Sequence, residues 1–174
     1  MMAILPILKY PDPRLREKCE PVTVFDDELK ALAADMTETM LDAPGAGLAA
    51  PQVGRLVRMI VIAGAENDEE FDDRSLPLIN PRLIWSAGEQ VYDEGCLSVV
   101  DFNEKVIRAA EVEVEYQDLE GKPRRLAADG RRAVILQHEM DHLDGVLFID
   151  HISQLKRDIY KRKLKKLQKE SAND

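Results

Sequence analysis

Apolar positions recur at helical spacing between residues 27 and 42. Leu29, Leu32, Ala33, Met36 and Met40 fall on one face, Asp26 or Asp27 caps the start, and Pro44 with Gly45 ends the run. Residues 56–63 form a dense apolar run with β-branched members, which predicts a buried strand. Residues 66–74 are acidic and polar and predict a surface loop. Residues 76–85 predict extended structure broken at Pro77 and Pro81. The clearest strand is Val112, Val114 and Tyr116 alternating with Glu111, Glu113 and Glu115, one face buried and the other wet. Residues 118–122 supply a turn. Asp129 then caps a second helix that ends near Leu143, with Gly145 just beyond. Ala133, Val134, Ile135, Leu136, Met140 and Leu143 spread round much of that helix, and a helix apolar on most sides lies inside the protein. In a third helix, residues 153–169, Leu155, Ile159, Leu164 and Leu167 oppose many lysines.

Strands come between and around few helices, without the alternation of a Rossmann or barrel fold. The pattern predicts an α+β fold: mostly antiparallel sheets around one central helix, with an N-terminal helix and a C-terminal amphipathic helix. A chain of 174 residues fits a single domain, 1–174, with a real core. Hydrophobic residues at 45% and charged residues at 33% are ordinary for a soluble globular protein, and no apolar run is long enough to cross a bilayer. The N-terminus has no basic region before an apolar stretch, so it reads as structural rather than as a signal peptide, and the cytoplasm is the expected compartment. Two cysteines make no disulfide framework, and Cys19 reads as an inert small hydrophobe. A net charge of −9 argues against a general nucleic-acid binder. That charge is unevenly placed: residues 155–169 hold eight basic side chains and one acidic one.

The central helix contains His138-Glu139-Met140-Asp141-His142. Histidines four apart share a helical face and suit one metal ion, with Glu139 placed to act as a general base on its water. The alternative is a surface helix with two unrelated histidines. A catalytic site of this kind needs a third protein ligand and an open position. The longer metalloprotease pattern puts a histidine at position 148, where this chain has Phe148. Glu170 lies near a terminus, and His151 lies past the helix end, as a surface or hydrogen-bonded histidine. The remaining candidate is Cys96, in Glu94-Gly95-Cys96-Leu97-Ser98, whose other reading is a buried inert thiol. A further segment, Gly45-Ala46-Gly47-Leu48-Ala49-Ala50-Pro51-Gln52, follows the first helix. Its small residues either let backbone approach a ligand or make a tight helix-to-strand connection. It lacks the lysine of a phosphate loop.

GAGLAAPQ, EGCLS and QHEMDHL, in this order, resemble the three motifs of peptide deformylases, and the EVEVEYQDLEGK stretch is also similar to that family. The resemblance covers nearly the whole chain. It implies a metallohydrolase acting on linear amides, which releases formate from the formyl-methionine of nascent polypeptides during bacterial protein synthesis. By it, Cys96, His138 and His142 hold one ferrous ion, replaceable by zinc, nickel or cobalt. Glu139 is the general acid/base, and the Gln52 side-chain amide and the Leu97 backbone N–H steady the oxyanion. The peptide lies beside Gly45, Ala46 and Gly47, and the methionine side chain meets Tyr92, Ala46, Val134 and Ile135. Val100, Ile107 and Arg131 depart from the family's usual proline, proline and aliphatic residues, which bears on pocket shape. Arg108 is expected to pair with Asp141 and brace the metal helix. The basic helix, residues 153–170, resembles the extension with which Gram-negative-type deformylases dock on the ribosome near the peptide exit; its other reading is a solvated lysine-rich face. The chain is expected to be a monomer, with no membrane or DNA partner. Two rival readings remain: a zinc endopeptidase with no need of Cys96, and a non-enzymatic ribosome-associated module with a closed structural metal site.

Overall fold

A computed structural model describes residues 2–64 and 75–172; the acidic stretch 66–74 lies outside the described residues. Helix α1 is Asp27–Asp42, capped by the Asp26 carboxylate, which accepts from the Leu29 N–H at 3.1 Å. Strands β1 (Gly47–Ala49), β2 (Met59–Ala63), β3 (Ser75–Ala87), β6 (Glu111–Gln117) and β7 (Pro123–Asp129) form an antiparallel five-stranded sheet in the order β1-β2-β3-β6-β7. Strands β4 (Gln90–Cys96) and β5 (Val99–Arg108) form a separate antiparallel pair. Helix α2 (Gly130–His142) packs on the larger sheet, a 3₁₀ turn Phe148–His151 follows, and α3 (Gln154–Ala172) ends the described chain. This is the expected α+β arrangement.

The dense apolar run is buried because β2 is covered on both faces. Ile60 and Ile62 join the cluster under α2 with Val112, Val114, Ala133 and Leu136. Met59 and Val61 join the opposite cluster under α1 with Leu32, Met36 and Met40. The strand is shorter than 56–63. Leu56 and Val57 pack beside these clusters, and Val57 bridges Glu20 in parallel. A third cluster, Leu15, Val106, Phe148, Ile149 and Tyr160, lies between β5, the 3₁₀ turn and α3, and Cys96 packs against it.

Three expectations need correction. Pro77 and Pro81 do not break β3. Pro77 pairs with Val61 before the β6 ladder begins at Ile79, and Pro81 lies in the register shift between Ile79 and Arg82, where Asn80 adopts φ 50°. A missing N–H is harmless at a bulge. Asp129 stands at the α2 N-cap but makes no side-chain capping bond. In α3, Leu155 and Ile159 are exposed, and the buried contacts come from Tyr160 and the partly buried Leu164. The packed face of α3 therefore takes in Leu164 but not Leu155 or Ile159.

Candidate metal centre and active site

Two secondary structures deliver the ligating atoms. Helix α2 carries His138 and His142 on one face, their rings 5.1 Å apart. Strand β4 ends at Cys96, where a register shift between Glu94 and Cys96 turns the thiol toward the helix. The Cys96 Sγ lies 3.4 Å from His142 Nε2, and one ligating atom from each of the three residues falls within 4.8 Å of the others. Both histidines are buried. A thiolate and two imidazoles suit a transition metal, and three protein donors leave room for water or substrate. The residues present therefore fit the metal that the motifs imply. Burial holds His142 well below the usual histidine range, with the neighbouring His138 adding to the effect, so it stays in the neutral form that ligates.

His138 is fixed from behind. Its Nδ1 faces Glu94 Oε1 at 2.8 Å, which turns Nε2 toward the ligand cluster. Burial opposes charge on His138, but the hydrogen bonds with Cys96 and Glu94 outweigh it and hold the imidazole well above its ordinary range. Arg108 meets Glu94 through Nε at 2.8 Å and Nη2 at 2.9 Å, and donates through Nη1 to Asp141 Oδ2 at 2.6 Å. Burial would raise the Glu94 pKa, yet the bonds from Arg108 and His138 bring it down to about 2. The Asp141 carboxylate also meets His151 Nε2 at 2.9 Å. Arg108 thus pairs with Asp141 as expected, and His151 is the hydrogen-bonded histidine anticipated beyond the helix. Phe148, standing where the protease pattern wants a ligand, is buried and stacks on His138 with centroids 6.1 Å apart.

Glu139 is buried beside this group, and its Oε2 has no hydrogen-bond partner among the described residues. Burial raises its pKa to about 7, the range in which a carboxyl group both takes and gives a proton at neutral pH. Gly47 makes room for it: a Cβ there would stand 2.8 Å from Glu139 Cγ and 2.9 Å from its Oε1. Gly45 is similarly pressed, with a Cβ meeting Leu97 Cδ1 at 2.9 Å. Gln52 is buried and ties the glycine segment to the cysteine strand. Its Oε1 accepts from the Ala49 N–H at 2.9 Å, and its Nε2 donates to Ser98 Oγ at 3.0 Å and reaches Cys96 Sγ at 3.6 Å.

These parts open on one cavity of ≈ 410 Å³, lined by Gly45, Ala46, Gly47, Gln52, Cys96 and Leu97 on one side and Val134, Ile135, His138 and Glu139 on the other. Tyr92 also lines it, so every residue expected from sequence to ligate, catalyse or bind substrate borders this space except His142, which is buried behind it. A cavity of ≈ 540 Å³ between α1, β3 and β6 has neither histidine nor cysteine in its wall, so chemistry rather than size places the site. Sequence reasoning passed over Glu94 and Ser98. Glu94 stands two residues before Cys96 in an extended run, the spacing that puts two side chains on one face of a strand.

The chain matches the family model described as Polypeptide deformylase over residues 4–158. A peptide deformylase of Alkalilimnicola ehrlichii is 51% identical over 166 residues, covering 95% of this chain and 92% of that protein. One of Mesorhizobium japonicum is 50% identical over 172 residues, covering 98% of this chain and 97% of its own. Among solved structures, a peptide deformylase from Legionella pneumophila superposes with a TM-score of 0.88 at 43% identity, covering 99% of each chain.

Proposed function

The chain belongs to the polypeptide deformylase family, and from that premise we propose how its residues divide the work. The reaction is hydrolysis of the N-formyl group of nascent formylated peptides, and the enzyme is a metalloenzyme with a Cys96, His138 and His142 group. Those three residues hold one ferrous ion, for which zinc, nickel or cobalt can stand in. When bound, the ion supplies Lewis-acid activation of water and of the formyl carbonyl.

The remaining steps fall to the chain. Glu139 takes a proton from the attacking water and delivers one to the amine nitrogen as the carbon–nitrogen bond breaks, leaving formate and a free N-terminus. The Gln52 amide and the Leu97 N–H donate to the oxyanion that develops on the formyl oxygen; one such donor contributes on the order of 3 kcal/mol. The peptide extends along the main chain of Gly45, Ala46 and Gly47, and the methionine side chain lies against Tyr92, Val134 and Ile135. The observation that carries this reading is the buried Glu139 carboxylate, whose Oε2 has no partner among the described residues, beside the three-residue ligand group.

We read the chain as one domain, a monomer and a cytoplasmic protein; no helix among the described residues is long and apolar enough to cross a membrane. Helix α3 docks on the ribosome near the peptide exit through its basic side chains. Among the described residues, the lysines of α3 that are bonded to the body are Lys156 and Lys163, to the Glu104 carboxylate and the Asp101 carbonyl. Formate release from a formyl-Met peptide by anaerobic, iron-loaded protein tests the activity. Glu139→Ala should keep the metal and lose turnover; a Glu139→Ala protein that still turns over would remove that residue from the mechanism.

A further inference from the structure

The site cavity has two charged side chains that the chemistry does not use, Arg131 and Asp93. Arg131 is the second residue of α2, four before Ile135 and seven before His138. Those intervals put all three on one helical face, with Arg131 ~10 Å along the axis from His138. Arg131 and Asp93 are both exposed, and neither has a hydrogen bond or ion pair among the described residues. Within the first turn of α2 no acidic residue stands beside Arg131; the nearest carboxylate on the helix end is that of the N-cap Asp129, which makes no capping bond.

We infer that Arg131 sets a preference among substrates: formylated peptides with an acidic side chain in the first two residues after the methionine are processed faster than those with a basic one. The inference rests on the deformylase reading and adds a substrate class to it. Val134 and Ile135 take the methionine side chain about one turn nearer His138, and Arg131 stands exposed beyond them on the same cavity wall. A carboxylate there meets a guanidinium with no partner among the described residues. A lysine there meets repulsion. Asp93, on β4, acts in the opposite sense from the same cavity wall.

The test uses iron-loaded full-length enzyme and C-terminally amidated peptides, formyl-Met-X-Ala-Ser and formyl-Met-Ala-X-Ser, with X as Glu, Gln or Lys. Amidation leaves the side chain as the only carboxylate. At low salt the kcat/KM ratio of Glu to Lys should be about threefold at one or both positions, the size of an exposed charge contact, and should shrink as salt is added. Arg131→Gln should bring the ratio to about one or below, since Asp93 then acts alone, Arg131→Lys should retain most of it, and Asp93→Asn should enlarge it. Equal ratios in wild type and Arg131→Gln would overturn the inference while the deformylase reading stands. No formate from the Gln peptides in wild type would overturn both.

Discussion

Two helices of the C-terminal half are held in opposite ways. Helix α2 is held both by packing and by bonds: Ala133 and Leu136 are fully buried, Gln137 bonds both ways with the Ala109 backbone at 3.0 Å, His138 leans on Glu94 and Asp141 on Arg108. Helix α3 is longer, yet Tyr160 is its one buried side chain, packed on Phe102 with rings 4.7 Å apart. Leu155 is 69% exposed and Ile159 52%. Apolar spacing says which face could be buried; whether it is buried depends on a partner surface. On α2, Gln137, His138 and Asp141 are bonded into the body, as a helix that carries ligands requires, while most polar side chains of α3 have no bond to the body among the described residues.

The contrast is most easily broken at Arg108. Arg108→Ala strands Glu94 and Asp141 without their counter-charge and should cost about 3–5 kcal/mol in denaturant unfolding, with metal affinity falling ~10–100-fold in chelator competition. At Tyr160, truncation to Ala should cost about 3 kcal/mol. Tyr160→Phe should lose nothing and gain up to ~1 kcal/mol, because its hydroxyl is buried with no partner among the described residues. Acid should act on the α2 side. The Glu94 pKa is about 2 in the fold against an ordinary 4.5, so its contribution is complete above that ordinary value and is lost as pH falls toward about 2. Unfolding midpoints of the apoprotein across that window should fall in wild type and flatten in Glu94→Gln. The smallest effect belongs to the exposed pair on α3: Leu155→Ser with Ile159→Ser should change stability by less than ~0.5 kcal/mol in denaturant unfolding.

Much of this was legible in the chain. The helix at 27–42, the alternating strand at 111–117 and the ligand pair on α2 follow from spacing alone, because each depends on local period. Cys96 needed more. A lone thiol in a polar stretch has no period, and only the absence of a histidine at 148 and the resemblance to a family drew it to the helix. The β4–β5 pair and the partners of Glu94 were not legible, since the contacts that define them span tens of residues and the charges resemble surface charges until Arg108 is seen between them. The exposed face of α3 was misjudged for the reverse reason: its pattern is clear, but what it packs against is set elsewhere.

Gly47 bears on how the site could change under a drug. A compound that grips the main chain at this position addresses atoms that no point substitution other than proline deletes. Adding a side chain to push the compound away would drive it into Glu139, 2.8 Å from the new carbon. Escape through residue 47 would therefore sacrifice turnover, and resistance selected against such a compound should appear at Tyr92, Val134 or Arg131, where the cavity wall is made of side chains.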